Sequence, residues 1–263
     1  MHTTDLPQGN KQANIKRHNA LRGCRFCYAG LNDWSDLNLD MVAYGRYEQL
    51  TLRQLKHLHS LESNSEKQQF ARDHGFSTRL TQPFSDILFD RHVQIPVDPA
   101  HCLCQGLDAV LIEATVSAFS SAGKEKFVTL LNNMILPCGW TRFKDPITHL
   151  RSYFFSDYAR LIMIGSFIIQ QFEESDFSAR VLKSMRSRMG VRSKAQVLDE
   201  ILLCWTTLAS TSAIIFSSEV KSYDVLSSAI TELANRLLKL CVLIDLFPVL
   251  LLDNLSARTD MSF

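Results

Sequence analysis

Cys24 and Cys27, in the run Cys24-Arg25-Phe26-Cys27, have the spacing with which two thiolates grip one zinc ion, at about 2.3 Å each. A structural zinc needs four ligands. No second Cys-x-x-Cys exists in the sequence, and the nearest further donors are His18, His57, His59 and His74. The pair therefore reads either as half of a zinc site or as two ordinary free thiols. Nothing nearby has the strand-to-helix setting of a thioredoxin-like motif, which argues against a redox role. A second motif is Pro96-Val97-Asp98-Pro99-Ala100-His101, followed by Gly106-Leu107 and a helical pattern. An aspartate exposed at the end of a strand suits a hard divalent cation such as Mg²⁺, and two-metal nucleases use such carboxylates. Asp-Pro is equally a turn signal, and Asp98 is equally placed to cap the helix that follows.

Lys183, Arg186, Arg188, Arg192 and Lys194 form a run with no acidic residue among them. On a helix, Lys183 and Arg186, with Arg188 beside them, lie near one face. Such a face either contacts phosphates or is simply solvated. The sequence has no glycine-rich phosphate loop, no Gly-x-Ser-x-Gly elbow and no His-Glu-x-x-His. His149 has no evident partner and reads as structural.

The elements that must position these residues come from a chain of 263 residues, long enough for one large domain or two small ones. Its 46% hydrophobic and 21% charged content is that of a globular protein and excludes disordered and fibrous classes. Lys and Arg total 28 against 27 for Asp and Glu, so overall charge supplies no attraction to nucleic acid or membrane. Any such partner must rest on local clusters. Seven cysteines, an odd count, and a polar, basic N-terminus without an apolar core segment point to a reducing interior and no secretory signal. The apolar stretch 153–172 is interrupted by Asp157, Arg160, Gln170 and Gln171, so a buried helix is expected there, not a membrane span. The run Leu237–Leu252 is broken by Lys239, Asp245 and Pro248.

Residues 1–22 read as a flexible basic tail. Residues 23–90 read as the Cys-x-x-Cys knuckle and a helical segment, the helix running from about 40 to 73 with Leu50, Leu55, Leu58 and Leu61 on one face. Residues 91–263 open with a short strand, predicted over 90–98 from its polar–apolar alternation and closing at Asp98, and continue as a helical domain. Apolar stripes at Leu107, Val110, Leu111 and Ala114, and at Phe127, Leu130, Leu131 and Met134, predict two of its helices. Further helices are predicted over 153–172, 177–189, 194–217 and 222–247, with a break at Gly190. The predicted fold class is mostly α, a helical bundle with one or two short strands.

The order of motifs adds a resemblance. Gly23-Cys24-Arg-Phe-Cys27-Tyr28, Asp40-Met-Val-Ala-Tyr-Gly45-Arg46-Tyr47 and Thr51-Leu-Arg53-Gln54 precede Ile95-Pro96-Val-Asp98-Pro-Ala-His101 with Gly106-Leu107. Leu136-Pro-Cys-Gly139-Trp140, Pro146-Ile-Thr-His149-Leu150 and Phe155-Ser156-Asp157 come next. Over residues 23–250 this succession resembles fungal transposon-encoded proteins similar to Plavaka and other CACTA-type DDE transposases. The resemblance implies a fragment of a ribonuclease H-like transposase core with its helical insertion, in which three acids bind two Mg²⁺ ions. Asp98 and His101 match the family's Asp-x-x-His step, making Asp98 the second acid. The first acid would lie upstream, and the segment Leu251-Leu252-Asp253-Asn254-Leu255-Ser256 departs from the family's Leu-Pro-Asn-Leu-His pattern before the third.

Motif order and the missing acids together lead to the expectation of a truncated transposase-derived protein without independent catalysis, intracellular, nuclear where the resemblance holds, and not secreted. Its expected partners are DNA, through the basic tail and the 183–194 cluster, or another protein or a second copy through the apolar C-terminal helix, with no membrane. Zinc at Cys24 and Cys27 is the candidate cofactor, and Mg²⁺ enters only with an intact acidic triad.

Overall fold

The computed structural model describes residues 6–17, 20–30, 33, 36, 38–40, 42–78, 90–95, 97–217, 219 and 222–243. They divide into two compact units, residues 1–98 and 99–263. The helical fold class holds. Among the described residues there are ten α-helices and, in place of the predicted strands, three isolated antiparallel bridges: Ile15 with Phe76, Cys27 with Gly45, and Phe119 with Phe177.

The first unit holds α1 (Leu6–Gln12), α2 (Glu48–Ser60) and α3 (Asn64–His74). Residues 6–17 are therefore not a flexible tail. Asn10 lies inside and donates from Nδ2 to the carbonyls of Lys16 at 2.9 Å and Gly23 at 2.6 Å. Its polar side chain replaces water for backbone groups that no helix or sheet satisfies. Asn14 takes the left-handed conformation (φ 59°), which asparagine tolerates, and this turns Ile15 inward beside Phe76. Ala13, Ile15, Leu55, Leu58, Ala71, Phe76 and Ile95 make the core of this unit.

The single helix predicted over 40–73 is also corrected. The chain loops up to Tyr47, and the helical part is broken at Leu61–Ser63, where the Ser63 hydroxyl accepts from the Ser65 N–H and starts α3. Leu55 and Leu58 are buried as expected, whereas Leu50 faces solvent. The helix α3 stops at Gly75 (φ 73°), where a Cβ would lie 2.0 Å from the Arg22 carbonyl oxygen, so only glycine fits.

The strand predicted over 90–98 is a turn across residues 90–94. The Asp90 carboxylate accepts from the backbone N–H groups of His92 and Val93, and the Gln94 N–H returns to the Asp90 carbonyl. The turn aims two side chains inward. Arg91 forms a two-pronged pair with Glu48 at the start of α2, at 2.8 and 2.7 Å. His92 places Nδ1 2.7 Å from the Arg25 carbonyl and Nε2 2.8 Å from the Thr51 hydroxyl. A carbonyl only accepts, so Nδ1 carries the proton and Nε2 accepts from Thr51. Burial lowers the His92 pKa and keeps this ring neutral.

The second unit begins with a π-helical segment, Ala100–Asp108, running directly into α4 (Ala109–Ala118). Then come α5 (Ser121–Asn133), the single turn α6 (Pro146–His149), α7 (Phe155–Ile169), α8 (Ala179–Met189), α9 (Lys194–Ile215) and α10 (Tyr223–Leu243). Gly165 on α7 lets α9 approach closely enough for Trp205 to lie on the helix backbone, and Trp205 donates from Nε1 to the Thr115 hydroxyl of α4 at 3.0 Å. A second centre joins Phe119, Phe127, Phe172 and Phe177, with Phe119 stacked on Phe172 at 4.6 Å. The helix α9 is long and apolar enough to cross a membrane. Its Val197, Ile201, Cys204, Trp205 and Leu208 are buried within the unit. The expected helix over 153–172 is the shorter α7. The apolar run Leu237–Leu252 lies outside the described side chains.

Candidate functional site

α8 is built by simple segregation. Leu182 and Met185 are fully buried, with Val181 and Met189 packed beside them, so the helix shows its opposite face to water. Gly190 in the left-handed conformation (φ 64°) ends it, and Ser193 with Gln196 forms the capping box that starts α9. On the open face stand Arg180, Lys183 and Arg186, all exposed, one turn apart. Between Asp176 and Asp199 the charged residues are Arg180, Lys183, Arg186, Arg188, Arg192 and Lys194, all positive.

The members of this cluster differ in setting. Lys183 and Arg186 share the exposed face. Arg192 is exposed in the turn between α8 and α9, and Lys194 reaches Glu174 at 3.9 Å, so part of its charge is answered. The side chain of Arg188 lies outside the described set. Arg180 is the member that sequence reading missed. Its signal was present, since 180, 183 and 186 fall one helical turn apart once the helix is started at Ala179.

Asp98 ends the first unit directly after Val97, which forms a single β-bridge; residues 90–94 are a turn, so the predicted strand is reduced to that bridge among the described residues. It is half-buried. His101 stands in the π-helical segment of the second unit, with its ring edge-on to Phe155 at 4.8 Å.

Cys24 and Cys27 lie on a tight turn held from behind by Arg46. The buried Arg46 guanidinium stacks over the Tyr28 ring at 4.1 Å. Its Nε donates to the carbonyls of Cys24 at 2.9 Å and Cys27 at 3.2 Å, Nη1 to His74 at 2.9 Å and Nη2 to Arg22 at 3.3 Å. One side chain thus satisfies four carbonyls from two separate stretches of chain, 22–27 and residue 74. Cys27 is buried and Cys24 half-buried, and the Cys24 sulfur accepts from the Phe26 N–H at 3.4 Å. Among the described residues no group of three or more His, Cys, Asp or Glu side chains gathers, and His18 lies outside them.

Replacing Arg46 by methionine leaves those four carbonyls without their donor in a buried setting. We expect the first unit to lose about 3 kcal/mol or more, since each orphaned buried group costs about 1–3 kcal/mol. Hydrogen exchange on the whole chain checks this. Amides of residues 26–28 and 74–77 should lose protection while those of α7 and α9 keep theirs.

No family model, curated protein or solved structure matches this chain.

Proposed function

We propose that this chain is a transposase-related module that binds nucleic acid through the exposed face of α8 and has no strand-cleaving activity of its own. The observation that carries the reading is the row of exposed cations Arg180, Lys183 and Arg186 on a helix whose other side is locked into the core, with exposed Arg192 in the turn that follows it. Cations fixed at helical spacing on a rigid scaffold release condensed counterions when they meet a phosphate backbone, and this supplies affinity without sequence preference. The relation to ribonuclease H-like DDE transposases rests on the order of motifs from Cys24 to Asp157. Cleavage is left out because Asp98 is the one acid that this resemblance places in the sequence, and a two-metal site needs carboxylates enough to hold both ions.

Fluorescence anisotropy with a labelled duplex, titrated at several salt concentrations, tests it. With Arg180, Lys183, Arg186 and Arg192 each reaching a phosphate, log K should fall against log[salt] with a slope of about −3 to −4. The double variant Lys183→Glu/Arg186→Glu should flatten that slope by about 2. Absence of binding at low salt would end the proposal. So would cleavage of the duplex in Mg²⁺ or Mn²⁺ that Asp98→Ala abolishes.

A further inference from the structure

The segment before α6 and the start of α7 bring together rings and cations that lie outside the α8 face. Tyr153 is buried and donates from its hydroxyl to the Lys144 carbonyl at 2.6 Å, with its ring stacked on Phe143 at 6.5 Å. This pins residues 140–145 against the chain that opens α7. Arg160 lies over the rings of Trp140 at 5.5 Å and Phe143 at 5.6 Å and pairs with Asp157, which also accepts from the Phe154 N–H at 2.9 Å. On the surface braced in this way Phe154 is 72% exposed and Trp140 half-buried, and Arg142, Lys144 and Arg151 are exposed. Between residues 127 and 172 the charged residues are these three cations, Arg160, Asp145 and Asp157. Both acids are already engaged. Asp145 accepts from the Ile147 N–H and the Thr148 hydroxyl, and Asp157 from Phe154 and Arg160. No carboxylate among the described residues pairs with Arg142, Lys144 or Arg151.

We propose that this surface binds single-stranded nucleic acid, with bases stacked on Phe154 and Trp140 and phosphates met by Arg142, Lys144 and Arg151. Every base has a π-face, so open rings set among cations hold a strand whatever its sequence. A duplex gains little from such rings, because its base faces already cover one another. The cations give the surface the sign that a phosphate backbone complements, and the engaged acids leave that sign unopposed. The rings are also mounted in advance. Arg160 props Trp140, and Phe154 stands at the fixed entry to α7, so little side-chain freedom is lost when a base arrives. Arg142 is steadied as well, since its Nη1 donates to the carbonyls of Asn132 and Met134. This surface shares only its phosphate chemistry with the α8 face; the residues are different, and the two readings stand or fall separately.

The test uses the whole chain and an oligo-dT of about ten nucleotides, read at low salt through tryptophan fluorescence. The chain has three tryptophans, of which Trp205 is fully buried and beyond the reach of a base. Quenching by the oligonucleotide should therefore persist in Trp34→Phe and vanish in Trp140→Phe. Anisotropy with labelled oligo-dT should show Phe154→Ala binding at least about fivefold more weakly, the loss of one stacked base. With three cations on phosphates, log K should fall against log[salt] with a slope of about −2, and Lys144→Glu/Arg151→Glu should flatten it to about −0.7. Lys183→Glu/Arg186→Glu, which disables the α8 face, should leave the quench in place. The proposal falls if oligo-dT leaves the wild-type fluorescence unchanged, if the quench survives Trp140→Phe, or if a duplex of the same length quenches as strongly. It falls too if the α8 double variant alone abolishes oligo-dT binding, an outcome that leaves the α8 reading standing. Failure to bind duplex with the oligo-dT quench intact overturns the α8 reading and supports this one. The wild-type titrations with oligo-dT and duplex need no variant to fold.

Discussion

Gly165→Ala will destabilise the second unit when Trp205 is present and stabilise it when Trp205 is absent. A Cβ built on Gly165 would stand 2.0 Å from Cζ3 and 2.2 Å from Cε3 of Trp205, distances that no pair of non-bonded carbon atoms tolerates. Neither partner can give way easily. Gly165 is inside α7, and the fully buried Trp205 is held at its far end by the hydrogen bond to Thr115, whose hydroxyl in turn donates to the Leu111 carbonyl. Overpacking of this kind costs about 3 kcal/mol or more. Trp205→Ala alone removes a large core side chain and should cost about 3–5 kcal/mol. In that background the three atoms nearest the added methyl are gone, and Gly165→Ala helps the helix, worth up to about 1 kcal/mol. Urea denaturation of the four proteins in a double-mutant cycle measures the change of sign. Equal cost of Gly165→Ala in both backgrounds would show that the two helices do not meet as described.

Asp108 is expected to make the second unit weaker as the solution becomes less acid. The carboxyl is fully buried where the π-helical segment passes into α4. Burial raises its pKa from 3.8 to about 7, and the hydrogen bond with Cys104 only partly opposes that rise. In the unfolded chain the group ionises near 3.8; in the fold it keeps its proton until about 7. Between those values the native state holds one more proton than the unfolded state, so stability falls as pH rises, by about 1.4 kcal/mol for each pH step of one. The contribution is complete below about pH 4 and has gone above about pH 7, a total near 4 kcal/mol across that interval. Asp108→Asn keeps the shape and removes the titration. It should match the wild type near pH 4 and exceed it by about 4 kcal/mol at pH 8, the same free energy read as a difference between two proteins. Parallel stability curves for the two proteins would contradict the burial of this carboxyl.

The helical half of the molecule was legible because its signals are local. Gly190, the Ser193–Gln196 box and the stripes at Leu107–Ala114 and Phe127–Met134 all act within a turn or two of chain. Even there, the inward roles of Gly165 and Asp108 could not be read, since they depend on which helix faces them. The first unit was read poorly because its partners are distant in sequence. The alternation from Asp90 to Asp98 has the period of a strand. What decides its shape is Glu48 receiving Arg91 and Thr51 receiving His92, both some forty residues away. Residues 1–22 look like a tail because Lys11, Lys16, Arg17 and Arg22 face only Asp5, yet the Asn10 side chain closes the backbone there by bonding the carbonyls of Lys16 and Gly23. The basic face was visible as a run of like charges. Its extent to Arg180 needed the helical phase of α8. The Cys-x-x-Cys spacing was plain, but the residue that clasps the turn, Arg46, is set apart by nineteen positions from Cys27.

The grip of Arg46 also bears on when the first unit can come into being. It ties Arg22, Cys24 and Cys27 to His74, so the knot as a whole does not close until the chain is made past residue 74. On a ribosome the early segment must wait, exposed, for about 50 further residues, and closing so long a loop before its contacts are rewarded slows folding. The helices of the second unit, each able to form on its own stretch of chain, carry no such delay, and the slower birth belongs to the end that emerges first.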